Sequence, residues 1–379
     1  MKIVLDNNIP FGEEAFSALG DVHCVSGREM SAEIIRDASI VVVRSITKVD
    51  AKLLQNSQVR VVGTVTAGID HIDCSYLAQN HISLTTAFGA NANSVAEYVI
   101  TALLVWAHQY KTYLIGKTLG VIGVGNIGSL VAKKASALGM DVILHDPPLA
   151  RKTGDAQYRS FDEVCQADFV TLHVPLTRTG PDATYHLFDG PRIAKLSLHV
   201  ILLNTSRGEV IDNQSLYQAV LSKQIQPPIL DVWEGEPTPH WGLVEQAAVA
   251  TPHIAGHSFD GKIQGTMMVY QAICRIFGVA PTWMPTLPDP EHPSIMIAGK
   301  HEREETLLWK IATHVYDLPG DHARMKALSA LPLEKRALAF DHLRKTYPRR
   351  REFRWTKVLL QDGTAALKNR MTGLGFQVE

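Results

Sequence analysis

Three short tracts of this 379-residue chain carry side chains suited to acid–base chemistry. They are Asn204-Thr205-Ser206-Arg207-Gly208, then Asp231-Val232-Trp233-Glu234-Gly235-Glu236-Pro237, then Thr251-Pro252-His253-Ile254-Ala255-Gly256. Each follows a run of aliphatic or β-branched residues and ends in polar groups. A histidine exchanges protons near neutrality because its ordinary pKa is about 6.5. A carboxylate beside it fixes its tautomer and stabilises the imidazolium. Arginine meets a carboxylate with two parallel hydrogen bonds and stays charged throughout. Such a set suits removal of a hydroxyl proton while a separate acceptor takes the hydride.

The acceptor has its own signature. The apolar run Leu119 to Ile122 breaks into Gly123-Val124-Gly125-Asn126-Ile127-Gly128 and then into the helical pattern Leu130 to Leu138. In a dinucleotide fold Gly123 serves the tight turn, Gly125 the close approach of backbone to pyrophosphate, and Gly128 the packing of helix on strand. A second strand-like run, Asp141 to His145, ends at Asp146, eighteen residues beyond Gly128. A carboxylate there accepts hydrogen bonds from an adenosine ribose and repels a 2′-phosphate, which predicts NAD as the cofactor.

These groups need a frame. Apolar runs at 3–5, 40–43 and 59–63, with an amphipathic stretch at 15–19, predict a small α/β unit. Apolar positions 95, 96, 99, 100, 103, 104 and 107 predict a long helix over 94–108. Strand-like runs recur at 119–122, 141–145, 168–173, 200–203, 228–231 and 247–250, which predicts a doubly wound parallel sheet from about 95 to 255 with its ligand crevice at the strands' carboxyl ends. A helix over 260–277 could return the chain to the first unit. The proline-rich stretch Val279 to Pro293 marks a linker. Beyond it, strand-like runs at 294–297, 357–360 and 376–378 alternate with helical runs at 304–316, 334–345 and 364–372. The expected class is therefore α/β: a substrate-binding domain from 1–94 and 256–285, a nucleotide-binding domain at 95–255, and a small C-terminal α/β domain at 286–379.

Composition narrows the partners. A formal charge of −1 gives no global basic field for nucleic acid or a membrane surface. Cysteines at 24, 74, 165 and 274 show no paired spacing, which favours reduced thiols over a disulfide frame or a metal site. The start, Met1 to Asn8, reads as a first strand and not a signal peptide. The densest apolar run, 98–107, is about half of what a bilayer needs. A cytoplasmic protein without a metal is expected.

In order and content the four motifs resemble the D-isomer-specific 2-hydroxyacid dehydrogenases, over nearly all of residues 1–280. The resemblance implies a Rossmann domain joined to a flavodoxin-like substrate domain. It implies Arg207 as the substrate-binding arginine, Glu236 as the carboxylate that orients the histidine, and His253 as the acid/base. It also implies that Asp231 binds the nicotinamide amide and that Gly256 lies beside the nicotinamide. The backbone of Thr205, Ser206 and Arg207 would line the cofactor, together with Asn126 and Ile127. Val43 to Val49, Thr64 to His71, Tyr316-Asp317 and Tyr347 to Glu352 extend the resemblance over the whole chain, to a branch acting on a small phosphorylated 2-hydroxy acid. That branch implies substrate contacts at Ser45, Thr66 and position 257, and a homodimer formed by the C-terminal domain. His257 stands where the branch has tyrosine, and Val174 where it has a cofactor-contacting threonine. Arg44 and Lys48 are the expected local cations for a phosphate, and Arg349-Arg350-Arg351 is a candidate to assist from a partner's C-terminal domain.

Overall fold

Ile40-Val41-Val42-Val43 is β-branched throughout and wholly buried, the composition of a strand covered on both faces. It forms the centre of a parallel sheet made of β1 (Lys2–Asp6), β2 (Asp21–Val25), β3 (Ile40–Val43), β4 (Val61–Thr64) and β5 (Ser83–Thr86), in the order β2-β1-β3-β4-β5. That is the flavodoxin-like order, with its switch point between β1 and β3. The computed structural model describes residues 1–300 and 302–379. Its internal contacts divide into two compact units, Met1–Ala92 with Ser258–Asp289, and Asn93–His257 with Pro290–Glu379.

In the first unit the helix Phe259–Phe277 buries Val269, Tyr270, Ile273 and Cys274 against Ile3, Leu5, Val42 and Val61. The Ser258 side chain caps its start by accepting from the Gly261 N–H at 2.8 Å, and Gly278 ends it at φ 65°. This helix realises the return of the chain expected for 260–277. The edge strands β2 and β5 were not expected. Their sequences, Asp21-Val-His-Cys-Val25 and Ser83-Leu-Thr-Thr86, are too polar to signal strands, as suits sheet edges that are only partly buried.

The second unit holds a six-stranded parallel sheet of β6 (Thr118–Ile122), β7 (Asp141–His145), β8 (Phe169–Leu172), β9 (Ile201–Asn204), β10 (Ile229–Leu230) and β11 (Val249–Ala250). Its order is β11-β10-β9-β8-β6-β7, so the direction of winding reverses between β6 and β8, beside the glycine loop. The long helix spans Ala92–Gln109 and packs on this sheet through Val99, Leu103 and Ala107. A third sheet, β12 (Ser294–Ala298), β13 (Lys357–Gln361) and β14 (Gln377–Val378), is parallel in the order β12-β13-β14.

Residues from the C-terminal stretch share one core with the nucleotide-fold helices. Leu307, Ile311, Phe353, Met371 and Leu374 pack in the same cluster as Leu103, Val131 and Leu138. Helix Ala365–Leu374 comes so close to helix Asn126–Leu138 that a Cβ on Gly373 would lie 2.5 Å from that of Ala137. A helix at Leu318–Ala327 was not foreseen, although Asp317 caps it and proline occupies its first turn.

Candidate active site

The glycine loop follows the expected division of labour. Gly123 has φ 86°, and a Cβ there would lie 2.5 Å from the His173 carbonyl oxygen. Only glycine satisfies both demands. A Cβ on Gly128 would lie 2.0 Å from the Gly123 oxygen, so the helix packs tightly onto the turn. At Gly125 a Cβ would meet nothing within 4 Å, and the residue is exposed. This open space stands at the start of helix Asn126–Leu138, which has no side-chain cap. Free N–H groups at the positive end of a 13-residue helix, with room before them, fit the pyrophosphate of a dinucleotide.

Asp146 ends β7 as expected, but its carboxylate already has two protein donors. Oδ2 accepts from the Val124 N–H at 2.8 Å and Oδ1 from the Leu149 N–H at 2.9 Å. The residue therefore shapes the glycine loop and caps helix Pro147–Thr153. A carboxylate has about four acceptor directions, so lone pairs remain for ribose hydroxyls.

At the carboxyl ends of β9, β10 and β11 the three polar tracts come together. His253 Nδ1 lies 2.7 Å from Glu236 Oε2, with both side chains partly open to solvent. Glu236 Oε1 accepts from the Trp233 N–H at 2.8 Å, and the Trp233 indole N–H donates to the Thr251 carbonyl at 2.9 Å. Burial pushes the Glu236 carboxyl up, but attraction to His253 and hydrogen bonds from His253 and Trp233 outweigh it. The group stays below its usual range and is ionised at neutrality. A carboxylate can only accept, so Nδ1 carries a hydrogen and Nε2 is left as the acceptor.

The loop bearing His253 hangs on Asp231. Its carboxylate accepts from the Ile254 N–H at 2.7 Å, the Ala255 N–H at 2.9 Å and the Thr251 hydroxyl at 2.6 Å, while its carbonyl accepts from the His253 N–H at 2.7 Å. Burial dominates here and raises the Asp231 carboxyl above its ordinary value against the pull of those donors. Held this way, His253 adopts the left-handed conformation at φ 57°. A non-glycine residue keeps that geometry only where its surroundings impose it.

Arg207 closes the turn after β9. Asn204 organises the turn: its amide donates to the Arg207 carbonyl at 2.8 Å, and its oxygen accepts from the Ser206 N–H and hydroxyl at 3.0 and 2.8 Å. The Thr205 and Ser206 side chains are buried, so this tract presents its backbone. Gly208 presses on the neighbouring tract, where a Cβ would lie 1.9 Å from the Trp233 carbonyl carbon. The arginine tract and the glutamate tract are thus locked back to back. Gly256 and His257 follow on the histidine loop, and the His257 ring meets that of Tyr347 edge-on at 5.8 Å. Trp233 and Asn204 serve as supports that residue type alone did not single out. Val174 packs against the second apolar cluster of this sheet.

In the first unit Ser45 and Thr66 follow the neighbouring strands β3 and β4, whose paired ends are Val43 and Thr64. Ser45 is exposed, and the Thr66 hydroxyl lies 2.8 Å from that of Thr64. Arg44 is turned toward Asp6, its Nε donating at 3.0 Å, and Lys48 pairs with Asp50 at 3.1 Å. The arginine cluster needs correction. Arg350 and Arg351 are buried inside their own unit, where Arg350 donates to backbone carbonyls and Arg351 lies over the Trp355 ring, so the three do not form one exposed basic patch. Arg349 alone of the three is exposed. The short spacing of three arginines hid that two of them face inward.

Fold and glycine loop are those of an NAD-dependent dehydrogenase. Residues 91–255 match the family described as D-isomer specific 2-hydroxyacid dehydrogenase, NAD binding domain, and residues 286–375 match a domain of unknown function (DUF3410). Among solved structures, D-lactate dehydrogenase from Aquifex aeolicus, complexed with NAD and lactic acid, aligns at TM-score 0.62 and 26% identity over 73% of this chain and 96% of its own. The NAD-bound 3-phosphoglycerate dehydrogenase of Entamoeba histolytica aligns at 0.63 and 27%, over 73% and 95%. The erythronate-4-phosphate dehydrogenase of Tolumonas auensis is 44% identical over 100% of this chain and 99% of its own length, and that of Proteus mirabilis is 40% identical over 99% of both. The chain belongs to the erythronate-4-phosphate dehydrogenase family, within the D-isomer-specific 2-hydroxyacid dehydrogenases. Among the described residues no helix is long and apolar enough to cross a membrane, and no group of His, Cys, Asp and Glu could hold a metal ion.

Proposed function

We propose that this protein is an NAD-dependent dehydrogenase that oxidises 4-phospho-D-erythronate at C2 to 2-oxo-3-hydroxy-4-phosphobutanoate, a step of pyridoxal 5′-phosphate (vitamin B6) biosynthesis. The observation that carries the mechanism is the 2.7 Å His253–Glu236 pair, suspended on Asp231 at the strand ends of a nucleotide-binding sheet. NAD, when bound, supplies the hydride acceptor. Arg207 holds the substrate carboxylate and polarises the C2 oxygen. His253 Nε2 takes the hydroxyl proton, and the resulting imidazolium is stabilised by ionised Glu236 across Nδ1–H. The Glu236–Trp233–Thr251 chain of hydrogen bonds holds the carboxylate in place, so no energy is spent in turning it during reaction. Gly123, Gly125, Asn126, Ile127, Gly128 and Asp146 hold the adenine half of the cofactor, and the Thr205–Arg207 backbone, Asp231 and Gly256 the nicotinamide half. Ser45, Thr66 and His257 contact the substrate. His257 replaces one hydrogen-bond donor with another.

The three domains are residues 1–94 with 256–285, 95–255, and 286–379. The protein is a cytoplasmic homodimer; its four cysteines are free thiols, and Met296, Leu333 and Leu338 in the last domain are exposed apolar side chains available for a two-fold partner. Light scattering on the full chain measures the dimer. NADH absorbance on adding 4-phospho-D-erythronate, with the reverse reaction run in parallel and 3-phosphoglycerate as comparator, tests the activity. Turnover of 3-phosphoglycerate in preference to the erythronate, or no turnover of the erythronate in either direction, refutes the substrate.

A further inference from the structure

The catalytic loop has a second anchor, from the far end of the sequence. Arg350 is 6% exposed, and its guanidinium gathers three backbone carbonyls. Nη2 donates to Ala255 O at 2.9 Å and Ser94 O at 3.3 Å, and Nε donates to His257 O at 3.4 Å. Its plane lies over the Tyr316 ring with 4.0 Å between guanidinium carbon and ring centre, a cation–π contact in a desolvated place. Tyr347, whose ring meets His257, donates its hydroxyl to Asp321 at 2.8 Å, so the surrounding side chains are also fixed. The loop is therefore held from two sides: the Ile254 and Ala255 N–H groups donate to the Asp231 carboxylate, and the Ala255 and His257 carbonyls accept from the Arg350 guanidinium.

We propose that Arg350 is a positioning residue for the dehydrogenase reaction, fixing the loop that presents His253 and so making the C-terminal stretch part of the catalytic apparatus of its own chain. The proposal rests on the acid–base role given to His253 above. A loop held by Asp231 alone is tethered through its N–H groups only. The left-handed backbone at His253 is a conformation that relaxes when its surroundings loosen. Geometry, not charge alone, is what the site uses: a planar fork spans carbonyls that a lysine ammonium, with a single nitrogen, cannot reach together. The guanidinium also lies beside the buried side chains of Glu97 and Glu352, a neighbourhood that a lysine ammonium would share.

The test uses the full chain with Arg350→Met and Arg350→Lys. Three quantities are read: kcat and KM for 4-phospho-D-erythronate, NADH affinity by fluorescence, and amide hydrogen exchange by peptide. The expected result for R350M is a kcat lower by about 10- to 100-fold, since loop misplacement of an ångström has that consequence. KM and NADH affinity stay within about threefold. Exchange rises in the peptide spanning 253–258 and not in helix Asn126–Leu138. R350K recovers part of the lost kcat, and if R350M does not fold, R350K carries the test with a kcat about 3- to 10-fold below the unaltered protein and the same local rise in exchange. The proposal is overturned by an R350M kcat within threefold of the original, by full recovery in R350K, or by exchange rising equally through 304–327. Absence of turnover in the unaltered protein would count against the substrate instead, and the exchange of 253–258 would still decide the role of Arg350 as the loop's anchor.

Discussion

Replacing Gly208 with alanine should disable the enzyme without touching a reacting group. The added Cβ would lie 1.9 Å from the Trp233 carbonyl carbon, 2.1 Å from its oxygen and 2.3 Å from the Glu234 nitrogen. All three are backbone atoms, so no rotamer change relieves the clash. Restoring ordinary contact requires the two tracts to part by about 1.5 Å, the gap between 1.9 Å and a van der Waals distance of about 3.4 Å. One tract carries Arg207 next in sequence; the other carries Trp233, whose N–H holds Glu236. The displacement therefore reaches Arg207 and the partner of His253 together. Misplacement by an ångström costs about 10² in rate, so kcat/KM should fall by at least that factor. Overpacking of a tight contact destabilises by about 1–3 kcal/mol, which lowers Tm by several degrees in a unit of this size. Steady-state NADH formation and a thermal melt measure both. A Gly208→Ala protein with kcat/KM within threefold and Tm within about 1 °C of the original would show that the arginine and glutamate tracts are not locked as described.

Three further outcomes follow from the site. His253→Ala should lower kcat by about 10² to 10⁴ with NADH affinity nearly unchanged, and near-native turnover would remove the mechanism. Asp146→Ala should narrow the preference for NAD over NADP in parallel kinetic runs; because it also deprives Val124 and Leu149 of their acceptor, chemical denaturation should show a loss of about 1–2 kcal/mol, and an unaltered protein that already prefers NADP would contradict the assignment. Burial, with repulsion from Glu352, pushes Glu97 up to about 8 against the pull of Lys134 and Arg350. The folded state then binds a proton that the unfolded chain releases near pH 4 to 5, so stability from this group falls as pH rises from there to about 8. Glu97→Gln should flatten that slope in urea midpoints taken at pH 5, 6, 7 and 8, and coincident slopes for the two proteins would refute it.

The glycine turn and the central strands were legible because each rests on a local rule: β-branched runs for strands buried on both faces, φ > 0 and close approach for Gly123. The long helix over 92–109 followed from its apolar spacing. The edge strands β2 and β5 escaped because partly exposed positions accept polar residues, so no apolar alternation marks them. The helix at Leu318–Ala327 has charged residues through its length, and only its Asp317 cap and Pro319 announced it. For the candidate site, the identities of Arg207, Glu236 and His253 could be read, and the structure brings Glu236 and His253 into contact. The inward turn of Arg350 and Arg351 could not be read, since their acceptors and ring partners, apart from Trp355, are fixed by packing between residues up to 256 positions apart. The double engagement of Asp146 was hidden for a related reason: a cap looks the same in sequence whether or not its second oxygen also reaches a loop 22 residues upstream.

The shared core of the second unit bears on how the protein is made. Lys134, buried in the nucleotide-fold helix, donates to the Leu374 carbonyl, and 240 residues separate the two. The helices that carry Leu103 and Val131 find their cover in Leu307, Phe353 and Met371. The first unit is no more self-sufficient, because helix Phe259–Phe277 completes a sheet that ended at Thr86. Domains of a growing chain ordinarily fold in turn from the N-terminus as they emerge. Here the core of the second unit must wait, with apolar faces uncovered, until the stretch from Leu307 to Leu374 has been synthesised. A ribosome that stalls near residue 300 would release a chain with the whole catalytic set written into it and no lasting means of holding that set in place.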